Sequence, residues 1–173
     1  MYILHVLSGE ERETGRKLTE KGYHILLPEA VKQERRGGKW MDVLRVMMPG
    51  YLFVETDMRP EIYYDIVEAG GIIRMLNYSD PMPEDEVEMI HKLAGAVTKP
   101  VELVPIEGGG WIVDNEDSAF YGRTPKRVML RQRRAIFEIM AAREKYDISV
   151  TARARQWTVD NGQLMARKTE NGW

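Results

Sequence analysis

The chain has 173 residues, 25 Lys/Arg against 27 Asp/Glu, 43% hydrophobic residues and no cysteine. That length suits one average domain, or one of about 100 residues plus a smaller one, and the missing cysteines exclude disulfides, zinc-thiolate sites and thiol nucleophiles. No apolar run is long enough for a membrane-spanning helix, and the N-terminus lacks a basic n-region and a small-residue cleavage site, so it reads as a first strand of a cytoplasmic protein rather than a signal peptide.

Residues 2–7 are strongly apolar and suit a central strand. Ser8-Gly9-Glu10-Glu11 reads as a capping box, with Ser8 as N-cap and Glu11 at N3. It opens a helix over 9–21 that stops at Gly22. Leu18 is its one strong hydrophobe, and Gly15 costs about 1 kcal/mol relative to Ala, so the helix depends on tertiary packing. Tyr23 to Leu27 is a strand ended by Pro28. Two runs at 31–35 and 40–46, joined by Arg36-Gly37-Gly38-Lys39, read as a β-hairpin. Tyr51 to Thr56 is a further strand. Pro60 opens a helix with Ile62, Ile66 and Val67 on one face, closed by Gly70-Gly71. Ile72 to Leu76 is a strand. Glu84-Asp85-Glu86 starts a last helix, where the dipole favours acids, with Val87, Ile90, His91, Leu93 and Ala94 on its buried or half-buried face.

The order is β-α-β, a hairpin, β-α-β and a trailing helix. This is an α+β class, a split βαβ (ferredoxin-like) antiparallel sheet with helices on one face. Prolines and glycines over 96–110 read as a linker. Short apolar runs at 111–113, 127–130, 135–139 and 148–151 then suggest a small SH3-like β-barrel over 111–160, with 161–173 as a tail. Met140 to Lys145 suits a helical turn equally well. From Trp111 onward there are 12 Lys/Arg and 8 Asp/Glu, and between Ser118 and Phe137 six basic residues and no acid. An asymmetry of this kind is the footprint of an anionic partner or of a solvated basic hairpin.

Nothing in the chain points to catalysis, a cofactor or a metal. His5, His24 and His91 have no ligand spacing. The acids at 84–88 serve a helix start, and Gly108-Gly109-Gly110 lacks the lysine and hydroxyl of a P-loop. A binding protein, not an enzyme, is expected. The most unusual stretch is "VMMPGYLFVE", residues 46–55, where an apolar cluster surrounds a tight Pro-Gly turn.

Five ordered segments, "MYILHVLSGEE", "LLPEAVKQERRGGKW", "VMMPGYLFVETDM", "YYDIVEAGGIIRMLN" and "PMPEDEVEMIHKL", resemble the NusG family of transcription elongation factors over residues 2–94. "MMPGYLFV" resembles the family's Phe-Pro-Gly-Tyr motif, with Met48 in place of Phe. The resemblance implies an NGN domain over 1–95 that docks on the clamp helices of RNA polymerase's largest subunit. The docking patch would be Met48, Pro49, Gly50 and Tyr51, helped by Tyr2. Met47, by alternation, would turn to the opposite face as core. The family's loop near non-template DNA here reads Glu68-Ala69-Gly70-Gly71, which leaves Tyr63 and Tyr64 as stacking candidates.

"NEDSAFYGRTPKRVMLRQRRAIFEI" is similar to a degenerate KOW turn and strands, keeping Phe120 and Gly122. Arg131, Arg133 and Arg134 are expected to point outward from a strand-turn-strand and touch nucleic acid, with Leu130 and Ile136 anchoring them. The loose match implies a specialised antiterminating paralogue whose second domain recruits nascent RNA, a ribosomal protein or a termination factor. The competing reading is an RNA-binding module that acts without polymerase.

Overall fold

The computed structural model describes residues 1–155, with the strand backbones at 157–160 and 163–166. Its first elements are β1 (Tyr2–Val6), α1 (Glu11–Glu20), β2 (His24–Leu26), β3 (Glu29–Arg36), β4 (Lys39–Val46), β5 (Tyr51–Glu55), α2 (Pro60–Glu68), β6 (Ile72–Met75) and α3 (Glu84–Ala94). There follow β7 (Val101–Pro105), β8 (Trp111–Val113), β9 (Arg127–Met129), a single 3-10 turn (Leu130–Gln132), β10 (Arg134–Ala141), β11 (Glu144–Ala154), β12 (Trp157–Asp160) and β13 (Gln163–Ala166). The expected tail, 161–173, lies outside the described residues except for β13.

The chain is α+β, as its sequence implies. The first sheet runs β2-β5-β1-β6 and every neighbouring pair is antiparallel. Each βαβ unit is therefore split by a strand of the other. Register sets the faces: Tyr2 lies opposite Val54, Ile3 opposite Phe53 and Leu4 opposite Leu52. Tyr2, Leu4, Val6, Leu52 and Val54 pack with Leu18 of α1 and Ile66 of α2. Gly15 helps α1 approach: a Cβ there would lie 3.6 Å from both Ile25 and Leu52.

The helices do not share one face. Met89, Ile90 and Leu93 of α3 pack with Ile3 and Phe53 on the opposite side. The cause is that β1 and β5 are apolar at consecutive positions, so both faces of the sheet need cover. His91, expected on the buried or half-buried face of α3, is exposed. Its Nε2 lies 2.7 Å from Glu55 Oε1, and His24 Nδ1 lies 2.6 Å from Glu55 Oε2, so two of the three histidines meet on one carboxylate.

The β3–β4 hairpin turns at Gly37-Gly38, both with positive φ (56° and 80°), as a two-residue type I′ connection requires. Beyond α3 the expected linker is structured. Thr98 bridges to Ala30, and β7 pairs antiparallel with β8 and parallel with β11. The apolar run Val101-Glu102-Leu103-Val104 decides this, burying Val101, Leu103 and Val104. The second sheet runs β8-β7-β11-β10-β9. Met140 to Lys145 is neither helix nor loop, since β10 and β11 pair continuously up to Ala141 and Glu144 around Ala142-Arg143.

One apolar cluster crosses both sheets. It joins Ile3, Met47, Met48, Phe53 and Ile90 to Val101, Phe120, Phe137, Ile148 and Val150. Phe120 and Phe137 stack with ring centroids 4.3 Å apart. The second sheet thus covers the face of the first that α1 and α2 leave open.

Candidate functional site

The Pro-Gly turn is held from three sides. Tyr51 N–H donates to Met48 O at 3.1 Å, closing a β-turn with Pro49 and Gly50 as its central residues. Gly50 has φ +85°, the left-handed value that the third position of a type II turn demands. Its carbonyl accepts from Val6 N–H at 2.8 Å, and Met47 N–H donates to Pro28 O at 2.9 Å. Gly50 N–H donates to Glu11 Oε1 at 2.7 Å, and Gly9 N–H donates to the other oxygen, Oε2, at 3.0 Å. Burial alone would push the Glu11 carboxyl up. The N–H groups of Gly50, Glu11 itself and Gly9, with the Arg12 charge, outweigh it and hold the group below its usual range.

Glu11 therefore does different work from the capping box. The helix begins at Glu11, Glu10 is the N-cap, and no side chain caps it. The left-handed Gly9 (φ +94°) turns the chain so that the Glu11 carboxylate reaches forward to the turn at 50.

Of the expected patch, Pro49 is exposed, while Met48 and Gly50 are buried and Tyr51 is half-buried. Met47 does not face away from Met48. Both lie beyond the end of β4, where strand alternation no longer applies, and both enter the same core cluster. Tyr2 is not part of the group: its register with Val54 places it on the α1–α2 face, buried, opposite to Tyr51. The ring beside Tyr51 is His5, stacked at 5.5 Å with an interplanar angle of 23°.

The roof over this turn comes from the far end of the chain. Tyr146 of β11 meets Tyr51 edge-on at 5.5 Å. Burial, and then the Glu144 charge, push its hydroxyl up to about 12. The β10–β11 turn beside it is strained, with Ala142 and Arg143 at φ +48° and +62°, a region costing non-glycine residues about 1–2 kcal/mol each. The buried Glu86 of α3 holds it by accepting Arg143 N–H at 3.2 Å on both oxygens. The Arg143 guanidinium pairs with Asp80. A second latch joins β3 to β11: Gln33 N–H donates to Thr151 Oγ1 at 3.0 Å, and that hydroxyl donates to Val31 O at 3.0 Å.

The nucleic-acid candidates fall in two places. Tyr63 meets Tyr64 and Tyr78 edge-on, at 5.4 and 5.1 Å. Tyr64 is 64% exposed, and the group lines a surface hollow with Pro60 and Met75. Arg131 and Arg134 are exposed, but Arg133 is not directed outward. It is left-handed (φ +54°), its guanidinium sits 4.4 Å from the Trp40 ring centroid, and Nη1 donates to Gln33 Oε1 at 2.8 Å. Leu130, expected as an anchor, is 44% exposed because the 3-10 turn lifts it off the sheet. Among the described residues no three His, Cys, Asp or Glu side chains gather as a metal site, and no helix is long and apolar enough to cross a membrane.

A split βαβ sheet carrying a Pro-Gly turn, followed by a β unit that shares its core, defines an α+β protein. The family model described as "Transcription termination factor nusG" matches residues 1–91. The chain belongs to the NusG family. The "Transcription termination/antitermination protein NusG" of Staphylococcus carnosus is 26% identical over 117 residues, covering 59% of this chain and 64% of that relative. The protein of the same name from Halalkalibacterium halodurans is 26% identical over 115 residues, covering 61% of this chain and 56% of its own length. The chain thus spans less than two thirds of these relatives. A solved structure titled "Domain interaction in Thermotoga maritima NusG" shares the fold with TM-score 0.55 and 19% identity, over 87% of this chain and 90% of that one.

Proposed function

We propose that this chain is a cytoplasmic, non-catalytic transcription elongation factor that binds RNA polymerase through Met48, Pro49, Gly50 and Tyr51 and favours processive elongation and antitermination. The observation that carries the reading is the turn itself, fixed by Glu11 and Val6 yet roofed by Tyr146. A permanently exposed apolar patch of this kind invites non-specific association. A patch covered by the chain's own second sheet is available only when that sheet lifts. The apparent affinity for polymerase is then the intrinsic affinity reduced by the open fraction.

In this reading residues 1–95 are the docking unit, which contacts the clamp helices of the largest subunit. His5 takes the place beside Tyr51 that Tyr2 was expected to fill, and Tyr2 supports the sheet from its other face. The exposed Tyr64 and Tyr78 next to Tyr63 offer stacking surface to an unpaired base of non-template DNA. Residues 111–160 are the recruiting unit, for nascent RNA or for a ribosomal or termination-factor protein. Met48 in place of the family's Phe, and the degenerate turn around Phe120 and Gly122, support a specialised paralogue.

Capture of the chain by purified polymerase in the absence of nucleic acid tests the proposal. Wild type should be retained, and Tyr51→Ala should be retained less while its first sheet stays folded. Equal retention of the two, or none of either, would overturn it.

A further inference from the structure

The β3–β4 hairpin and the second sheet enclose a groove of about 370 Å³, lined by Trp40, Leu130, Arg131, Arg133, Ala152, Arg153 and Ala154. Its size lies within the roughly 300–1,000 Å³ of ligand pockets. We propose that this groove binds single-stranded nucleic acid, one base stacking against Trp40 and the flanking phosphates meeting Arg131 and Arg153. The proposal deepens the nascent-RNA reading of the second part, and its binding test needs no polymerase.

Three features carry it. The first is an aromatic plane already used for stacking: Trp40 is half-buried and takes the Arg133 guanidinium at 4.4 Å from its centroid. Arg133 is fixed by Gln33, so the plane is set before any ligand arrives. The second is uncompensated charge. Glu34 pairs with both Arg36 and Arg45, whereas among the described residues Arg131 and Arg153 have no carboxylate within ion-pair distance. The third is the apolar part of the lining, Ala152, Ala154 and the exposed Leu130, which suits the flat face of a base better than a carboxylate-rich peptide. A duplex keeps its bases in the stack and cannot offer one to a slot of this kind.

The site draws Trp40 from the first part of the chain and its arginines from the second. It exists only while the two parts are together, so a bound strand favours the arrangement in which Tyr51 is covered. Single-stranded nucleic acid and opening are thereby opposed through the same equilibrium.

Anisotropy titrations of labelled oligo(U), oligo(dT) and a short duplex, over a salt series, test this with the full chain. Both single strands should bind more tightly than the duplex, and the preferred one identifies RNA or DNA as the source. Trp40→Ala should weaken binding about 5- to 150-fold, the range expected for one stacked base, and Trp40→Phe should restore most of it. Arg131→Ser with Arg153→Ser should flatten the logarithmic salt slope by about 1.4. Both arginines are exposed, so this variant should fold even if Trp40→Ala does not. Three results would each overturn the proposal: a duplex bound as tightly as the single strands, a folded Trp40→Ala that binds like wild type, or a double arginine variant with an unchanged slope. Displacement of the oligonucleotide by polyglutamate regardless of Trp40 would instead mark a surface for acidic proteins.

Discussion

Tyr146→Ala should open the molecule without unfolding it. Truncating a fully buried large aromatic costs about 3–5 kcal/mol. Tyr146 is half-buried, so about 2 kcal/mol is at stake. Roughly 0.5–1.5 kcal/mol of that is the edge-on pair with Tyr51. A loss of about 2 kcal/mol from the closed arrangement alone raises the open-to-closed ratio about 30-fold. Two backbone amides report closure directly, because their acceptors lie across the junction: Arg143 N–H on Glu86, and Gln33 N–H on Thr151. Hydrogen exchange at both should accelerate by up to that factor. The amides of β1 and β5, whose ladder lies within the first sheet, should keep their protection. The reasoning is refuted if all four sets speed up together, since the two parts would then unfold only as one unit.

Glu11→Ala should cost about 1.5–3 kcal/mol, read as a lower melting temperature, because two N–H groups lose a charged acceptor. Because the Glu11 carboxyl is held below its usual range in the fold, its contribution is present above about pH 4.5 and lost as pH falls through the folded value. A Glu11→Gln chain should lack that part of the acid transition. Gly70→Ala and Gly71→Ala both strain a left-handed residue (φ +77° and +78°), but only at Gly71 would the new Cβ run into Thr14 Oγ1. Gly71→Ala should therefore show the larger drop in melting temperature. Two of the eight tyrosines, Tyr23 and Tyr146, should ionise late, near pH 12, in a spectrophotometric titration. Burial leads in both, followed by Asp65 at Tyr23 and Glu144 at Tyr146. Their raised values contribute stability below about pH 10 that is lost as pH rises towards 12.

The alternation of strands and helices was legible because each element carries local signals, such as Pro60 at a helix start, Gly37-Gly38 between two strands and acids at 84–86. The assignments that failed depend on partners far along the chain. Glu11 fits a capping box by spacing, and only the fold brings Gly50 close enough to use the same carboxylate. Tyr2 was grouped with Tyr51 by the family resemblance, which does not give the pairing register; that register sets Tyr2 beside Val54. Strand β7 was hidden among prolines and glycines, since its support is a parallel partner some 50 residues later. Tyr146, Glu86 and Trp40 were missed for the same reason: their roles arise between the two parts of the chain. The one available hint was the β-like character of the run at 148–151, which placed Tyr146 near a strand without saying what it would cover.

The most direct test of the central claim compares purified RNA polymerase binding to wild type, Tyr51→Ala and Tyr146→Ala by equilibrium titration. If the turn at Met48 to Tyr51 is the docking surface and the second sheet conceals it, the two substitutions must act in opposite directions. Tyr51→Ala removes an aromatic hot spot of about 2 kcal/mol and also its side of the pair with Tyr146, about 0.5–1.5 kcal/mol of closure, so binding should weaken by a net of about 0.5–1.5 kcal/mol. Tyr146→Ala should tighten it, by up to about 30-fold if the closed form dominates in the wild type. Equal weakening by both, or indifference to both in folded protein, would contradict the account.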